Sequence, residues 1–305
     1  MLIYALKRFS IAILVAVTVS LLTFSMIYLS GDPAIALAGE TATQQDIENI
    51  RKVYGYDQPI IVQYFAWLGH ALTGNLGHSH YLKSEVADVI FTRLPVTMTL
   101  GACALGFALT LSIPLGVLAA MRPNTLIDRF ALTVAVIGQA LPSFWFALIM
   151  IFFFGVALRW LPITGSGSWK NFIMPSVALG YYITPAVMRL TRAGMIEVLS
   201  SDYIRTARAK GLRPFVVLFK HALRNAIIPV VSLAAVQFGF MLGGSIVIET
   251  IFAINGLGQL AWESILRADL PMMQAIVLVL SCFYIVLTFL ADLLNAFLDP
   301  RIRVS

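Results

Sequence analysis

Charged residues are scarce in this sequence. Only 12% of its 305 residues are Asp, Glu, Lys or Arg, whereas a typical soluble domain carries about 25%. Apolar residues make up 59% of the chain, and the mean hydropathy is +0.87. A soluble chain of this length could not bury so much apolar surface in one core. The composition therefore excludes an ordinary soluble domain and predicts an integral membrane protein.

Cysteines and catalytic motifs are also scarce. Cys103 and Cys282 each lie in an apolar run, which excludes a disulfide framework and predicts two small buried side chains. The sequence has no G-x-x-x-x-G-K-[ST] loop to hold ATP phosphates. It also lacks H-E-x-x-H and G-x-S-x-G, and no His lies within a predicted membrane span. We therefore expect no catalytic residue, metal or cofactor in this chain itself.

Six apolar segments are long enough to cross a bilayer, for which a helix needs about 20 residues. The first follows Lys7 and Arg8 and is longer than a signal-peptide core, so we interpret it as an uncleaved helix. The fourth is short and contains Pro175 and Pro185. The sequence predicts an all-α, polytopic fold with six transmembrane helices: Phe9–Leu29, Val96–Ala120, Ala131–Leu158, Ile173–Leu190, Ala226–Ile248 and Met272–Phe297.

The placement of Lys and Arg predicts the orientation, because these residues accumulate on the cytoplasmic side. With both termini in the cytoplasm, 14 of the 21 basic residues lie inside. The first outer loop then carries four basic and seven acidic residues. We divide the chain into a first transmembrane helix (1–30), an extracytoplasmic cap (31–95) and a five-helix core (96–305) with a cytoplasmic segment at 192–224.

The outer loop has helical patterning of its own. Thr43 and Asp46 have the spacing of a capping pair, and an apolar stripe follows them. Gly55 ends this helix and Pro59 begins another. Two interpretations stay open: a cap that lies on the bilayer, or a lid over the mouth of a transport pathway.

The outer loop also contains His78 and His80. Two His at this spacing could bind a transition metal from an extended segment. A solvated loop that happens to contain two His is the commoner arrangement, so we predict no metal site here.

The helix start and stop signals of the inner segment predict two short helices around a turn. Ser201 and Asp202 can cap a helix Tyr203–Lys210, which Gly211 ends. Pro214 then suits the first position of a second helix. One interpretation is a basic loop at the lipid headgroups. That interpretation does not explain the succession of helix, Gly, Pro and helix.

The run Arg205-Thr-Ala-Arg-Ala-Lys-Gly211 resembles the EAA loop of ABC-importer permeases, in the variant of the dipeptide/oligopeptide permease family. The resemblance extends over nearly the whole chain, although Arg205 replaces the common Glu and His221-Ala-Leu-Arg224 replaces Ile-x-Leu-Pro. Its other motifs are Gly31-Asp-Pro-Ala34, Leu141-Pro-Ser-Phe-Trp145, Glu249-Thr-Ile-Phe with Asn255-Gly-Leu-Gly-Gln259, and Asp299-Pro-Arg301.

The resemblance implies a type I ABC-importer-like permease, multi-pass in the bacterial inner membrane. It also implies a second, homologous permease, two cytoplasmic subunits that hydrolyse ATP, and an extracytoplasmic substrate-binding protein, with no nucleic-acid partner. Di- or oligopeptides are the default cargo, and nickel, glutathione and oligosaccharides stay open. Coupling to the ATPase would fall to segment 202–224, above all to Arg205, Thr206, Ala207, Arg208, Ala209, Lys210, Gly211 and Pro214.

Polar side chains within the spans are candidates for lining the pathway, because in hydrocarbon they face a cavity or a partner helix. Hydrogen bonding between helices is the alternative. Gly239-x-x-x-Gly243 indicates a close-packing seam, which the second permease could provide. The pathway candidates are Gln139, Ser143, Gln237, Ser245 and Glu249.

A secondary transporter or a channel is the alternative function. Such proteins carry acidic or basic residues near mid-membrane for coupling to ions. The centres of the predicted spans have none, and Asp292 lies near an inner end. The presence or absence of an ATPase partner separates the two functions.

Overall fold

The computed structural model describes residues 2–29, 32–38, 42–79 and 81–298. The motif residues Gly31 and Asp299–Arg301, and the candidate ligand His80, lie outside these ranges. The described chain is mostly helical.

The outer part begins with α1 (Leu2–Leu29), α2 (Pro33–Ala38), α3 (Gln44–Val53) and α4 (Ile60–Leu72). A short antiparallel hairpin, β1 (His78–Ser79) and β2 (Ser84–Glu85), pairs His78 with Glu85. The inner part contains α5 (Val86–Met121), α6 (Leu126–Ala140), α7 (Ser143–Met150), α8 (Ile173–Tyr181), α9 (Thr184–Leu199), α10 (Asp202–Ala209), α11 (Pro214–Val216), α12 (Arg224–Ala226), α13 (Ile228–Ile251), α14 (Leu257–Leu266) and α15 (Leu270–Leu298). π-helical turns extend α7 over Ile151–Ala157 and α11 over Val217–Leu223.

Four helices of the described chain, α1, α5, α13 and α15, are long and apolar enough to cross a membrane unbroken. They correspond to the first, second, fifth and sixth predicted spans. Helix α5 already begins at Val86, before the predicted start at Val96, because Pro95 lies inside the helix without ending it. Cys103 and Cys282 were expected to be buried, but both side chains are exposed.

The third and fourth predicted spans are each divided into two helices. Helix α6 ends at Ala140, Leu141 is extended, and α7 begins after Pro142. This is the expected effect of a proline, which disfavours helical backbone at the residue before it. The fourth segment turns at Tyr182 between α8 and α9.

Helices α5, α8 and α9 form the centre of the core. A Cβ atom at Gly116 of α5 would lie 2.7 Å from Cβ of Thr191 and 2.9 Å from the carbonyl oxygen of Met188, both on α9. Only glycine allows the two backbones to approach so closely. The main buried cluster, which includes Leu100, Met174 and Val187, joins these helices to α7 and α13.

The predicted outer helices are present. Thr43 and Asp46 form the predicted capping box at the start of α3. Hydrogen bonds from Thr43 hold the pKa of the Asp46 carboxyl below its usual range. The bond from the Thr43 side chain has the larger effect, and the bond from its backbone N–H the smaller. Helix α4 packs on α1, where the hydroxyls of Ser20 and Tyr64 hydrogen-bond at 2.8 Å. The cap is thereby fixed to the first membrane helix.

Candidate translocation cavity and coupling segment

A cavity of about 480 Å³ opens where the two broken segments meet helix α13. Three of the five polar candidates line it: Gln139 at the end of α6, Ser143 at the start of α7, and Gln237 on α13. Tyr182, at the break between α8 and α9, lines it as well. The remaining lining residues are Leu179, Ile183, Phe240, Met241 and Gly244.

Both helix breaks lie beside this cavity. No side-chain cap closes the start of α7 after Pro142, so its first amide groups lack the partners that a continuous helix would provide. Irregular backbone at membrane depth is tolerated only where it is covered by protein or lines a wet cavity. The breaks are therefore consistent with a pathway through the membrane at this point.

The cavity is open on one side. Tyr182 and Phe240 are 56% and 60% exposed, and no other group lies within 4 Å of a Cβ atom built at Gly244. Its polar side chains are amides, a hydroxyl and a phenol. Amides and hydroxyls both donate and accept hydrogen bonds. Such a lining suits a group that both donates and accepts hydrogen bonds.

The two remaining candidates, Ser245 and Glu249, do not line this cavity. Both are buried, with exposures of 1% and 0%. The Glu249 carboxylate accepts hydrogen bonds from the hydroxyls of Thr97 (2.8 Å) and Ser245 (2.9 Å), and from the backbone N–H of Gln259 (3.0 Å). The structure therefore gives Glu249 the alternative role, hydrogen bonding between helices. The Ser245 hydroxyl donates within α13, to the Glu249 carboxylate and the carbonyl oxygen of Leu242.

This arrangement explains the motif Asn255-Gly-Leu-Gly-Gln259. A Cβ atom at Gly256 would overlap Oε2 of Glu249 and would lie 2.5 Å from Oγ1 of Thr97. Thr97 also accepts the N–H of Leu257 at 2.8 Å. The first backbone N–H groups of α14 thus donate to the Thr97 and Glu249 side chains. These groups form the N-terminus of α14, the end of a helix that favours a negative charge. No motif in the sequence had singled out Thr97.

The Gly239-x-x-x-Gly243 seam lies partly inside this chain. A Cβ atom at Gly239 would lie 2.5 Å from the ring of Tyr284 on α15. Close packing is confirmed at Gly239 alone, and its partner there is a helix of the same chain. Gly243 is exposed, and a Cβ atom placed on it would have no neighbour within 4 Å.

The outer cap holds a second cavity of about 630 Å³. Phe24, Trp67 and Gln274 line it, together with His70 and His78. None of the polar candidates within the spans borders it. Within the described ranges, no three His, Cys, Asp or Glu side chains are grouped as a metal site would require.

The inner segment forms the two predicted short helices around a turn. Helix α10 ends at Ala209, Gly211 has a φ of +74°, and Pro214 begins α11. One detail of the prediction is wrong. Ser201 occupies the N-cap position, but its hydroxyl donates to the carbonyl oxygen of Val198 at 2.6 Å and caps no amide.

Segment 202–224 is fixed to the core along one face. Ile204 and Ala207 pack against Met195 of α9 and Val117 of α5 in a separate buried cluster. Ala207, 7% exposed, is thus an anchoring residue rather than a surface residue. The other seven coupling candidates are exposed: Arg205, Thr206, Arg208, Ala209, Lys210, Gly211 and Pro214.

The exposed face of segment 202–224 is both basic and apolar. Phe215 is 70% exposed, Leu212 is 39% exposed, and the rings of Phe215 and Phe219 lie 4.4 Å apart. Arg205 forms an ion pair with Asp202 at 3.2 Å. Both side chains are well exposed, so this pair contributes little to stability.

Comparison with known families agrees with this architecture. Residues 112–304 match the family model described as binding-protein-dependent transport system inner membrane component. Residues 1–101 match the model of the corresponding N-terminal region. The chain belongs to this family of permeases.

Relatives of the permease align over nearly its whole length. The glutathione transport system permease protein GsiC of Escherichia coli is 41% identical over 304 residues, covering 99% of each chain. The probable peptide ABC transporter permease protein y4tP of Sinorhizobium fredii is 37% identical over 310 residues, again covering 99% of each. The predicted resemblance to peptide permeases is confirmed.

A solved structure shares the fold of the permease. A chain of the MetNI methionine ABC transporter, in an inward-facing conformation, superposes with a TM-score of 0.57 at 20% identity. It covers 69% of the permease and 96% of the MetNI chain. The fold is that of a type I importer permease, and the chain is a non-catalytic, multi-pass subunit of the inner membrane.

Proposed function

We propose that this permease forms one half of a peptide pathway across the membrane, in an importer driven by ATP. The observation that carries the proposal is the cavity at the helix breaks, where Gln139, Ser143 and Gln237 meet. These side chains come from three different helices and share one open space. Polar groups gathered at membrane depth are expensive unless they serve a wet cavity or a ligand.

A second permease would complete the pathway. The open side of the cavity exposes Tyr182, Phe240 and Gly244, and a facing subunit would cover them. The family supports such a partner, together with two ATPase subunits and a substrate-binding protein. In this arrangement both termini and segment 192–224 are cytoplasmic, and 31–95 faces the binding protein as a lid.

Peptides suit the lining of the cavity. A peptide bond offers one donor and one acceptor, and the amides of Gln139 and Gln237 can pair with both. One relative is named for glutathione and another for peptides. Short peptides, with glutathione among them, are therefore the proposed cargo.

Segment 202–224 is the proposed contact with the ATPase. Its exposed face combines Arg205, Arg208 and Lys210 with the apolar Leu212 and Phe215. A short helix that docks in a groove of a partner needs such a face. Because Ile204 and Ala207 fix the segment to α5 and α9, a push on α10 would move the core rather than a loose loop.

The experiment is uptake by the reconstituted complex. The complex is purified through a tag on this chain, placed in proteoliposomes with its binding protein, and given radiolabelled dialanine or glutathione. We expect ATP-dependent uptake of at least one probe. Uptake driven by an ion gradient without ATP, or a chain that purifies without an ATPase, would favour the secondary transporter instead.

Variants connect this uptake to the cavity. Gln237→Ala removes one hydrogen-bonding side chain, which costs about 0.5–1.5 kcal/mol, or roughly two- to tenfold in uptake at low substrate. Thr18→Ala is the matched control, because the polar side chain of Thr18 is exposed on α1 and does not line the cavity. Equal uptake by both variants would contradict the assignment of the cavity.

A further inference from the structure

An ion pair joins helix α6 to helix α9, near the point where α9 packs against segment 202–224. Nε of Arg192 donates to Oδ1 of Asp128 at 2.7 Å, and Nη2 donates to Oδ2 at 2.6 Å. The backbone N–H of Asn124 donates to Oδ2 at 2.9 Å. Paired donors of this kind fix direction as well as distance.

The pair is shielded from water. The Asp128 side chain is 3% exposed and that of Arg192 is 24% exposed. The Arg192 hydrogen bonds hold the pKa of the Asp128 carboxyl below its usual range. The contribution of the pair to stability is therefore complete at any pH above about 3.9, the ordinary pKa of Asp. It is lost only as the pH falls through the lowered pKa. Removing the Asp128 charge would leave Arg192 without its paired hydrogen bonds but partly hydrated, because that side chain is 24% exposed.

Arg192 belongs to the helix that carries segment 202–224. Three residues further along α9, Met195 packs against Ile204 and Ala207 of α10 in the same buried cluster. A displacement of α10 therefore displaces the part of α9 that holds Arg192.

Asp128 belongs to the helix that reaches the cavity. It lies in the first turn of α6, and Gln139, near the last residue of that helix, lines the cavity. The fifteen residues of α6 span about 22 Å. A movement applied at Asp128 thus reaches the cavity along one rigid helix.

Apolar packing accompanies the ion pair between α6 and α9. Ala131 and Ala135 pack against Ala119 of α5 and Met188 of α9, so apolar side chains meet there. The Tyr181 hydroxyl donates to the carbonyl oxygen of Val134 at 2.5 Å. Apolar contacts are non-directional, whereas the paired hydrogen bonds of Arg192 fix the register of α6 on α9.

We propose that Asp128 and Arg192 are positioning residues that transmit the movement of segment 202–224 to the cavity helix α6. This inference rests on the proposed function. It assigns a transport role to two residues that touch neither the cavity nor the exposed face of the segment.

The test uses the complete complex in proteoliposomes and measures two rates together, ATP hydrolysis and uptake of dialanine and glutathione. Asp128→Asn keeps the shape of the side chain and removes its charge. We expect assembly and ATP hydrolysis to persist while uptake per ATP falls about fivefold or more, the lower end of ordinary coupling energies. Arg192→Lys keeps the charge and loses the paired geometry, so it should lose less.

Asp292→Asn is the matched control. It breaks another Asp–Arg pair, between Asp292 of α15 and Arg8 of α1 at 3.0 Å, away from the cavity lining and from segment 202–224. We expect its uptake per ATP to be normal. The double variant Asp128→Asn with Arg192→Gln should lose no more than the worse single variant, because the two residues act as one unit.

The outcomes separate the two proposals. If the unmodified complex shows no ATP-driven uptake of either probe, the proposed function is wrong. If it shows uptake and Asp128→Asn matches Asp292→Asn in uptake per ATP, only the positioning role is wrong. If Asp128→Asn fails to assemble, Arg192→Lys decides, and an unchanged ratio in that variant overturns the inference. An equal loss of hydrolysis and uptake in the assembled variants would also overturn it.

Discussion

Replacing Gly211 by Val tests the coupling segment at its turn. Gly211 has a φ of +74°, and no atom lies within 4 Å of a Cβ atom built there. The Cβ atom of the substituted residue therefore meets no clash, and the cost that follows from the turn is backbone strain of about 1–2 kcal/mol. Ile204 and Ala207 hold the helix before the turn, and Val217 and Ala222 hold the helix after it. The strain is thus relieved by moving the turn itself.

A partner that requires the native turn would then bind more weakly. A strain of this size corresponds to roughly 5- to 30-fold in affinity. We expect Gly211→Val to insert and accumulate normally, to retain less ATPase in a pull-down, and to lose ATP-dependent uptake at least as strongly. The spans lie elsewhere, so membrane insertion is unaffected.

Gly211→Asn is the control for this experiment. Asn adds a side chain of similar size, but it enters the left-handed region far more readily than a β-branched residue does. It should keep both ATPase binding and uptake. Normal association and normal uptake in Gly211→Val would refute the reasoning, because the turn geometry would then be irrelevant to docking.

Two further predictions concern topology and packing. In a background without Cys103 and Cys282, Glu48→Cys on the exposed face of α3 should react with a membrane-impermeant thiol reagent added from outside; reaction only after the cytoplasmic side is opened would invert the proposed orientation. Gly256→Ala should lower the thermal stability of the purified complex, because its methyl group would overlap the Glu249 and Thr97 oxygens, and overpacking costs about 1–3 kcal/mol. Gly243→Ala, at an open position, is the control, and equal melting temperatures would contradict the packing argument.

The sequence predicted much of the architecture from local signals. Hydropathy located the four unbroken membrane helices, and Gly211 with Pro214 predicted the two short inner helices around their turn. The break at Pro142 carried a visible signal as well, since a proline disfavours helix at the residue before it. Apolar composition across the break concealed it, because hydropathy measures the preference for lipid and not the continuity of a helix.

The roles of the polar residues on α13 could not be assigned from hydropathy. At about 100° per residue, Ser245 and Glu249 lie within about 40° of each other, while Gln237 lies about 120° from Glu249 around the axis. A helical wheel therefore places Gln237 on a different face of α13 from Ser245 and Glu249. It does not say which face meets α6 and α7 at the cavity and which meets Thr97 on α5, because those partners lie far away in sequence.

In the proposed pathway, the helix breaks at Pro142 and Tyr182 place three of the lining side chains apart from the scaffold. Gln139, Ser143 and Tyr182 stand at helix ends, where side chains do not have to satisfy the packing of a continuous membrane helix. The buried contacts that hold the fold, such as Gly116 against Thr191, lie along helix interiors instead. Under the proposed function, we therefore expect substitutions at the breaks to alter which cargo passes while membrane insertion and assembly stay unchanged. Cargo preference is then free to diversify within one architecture.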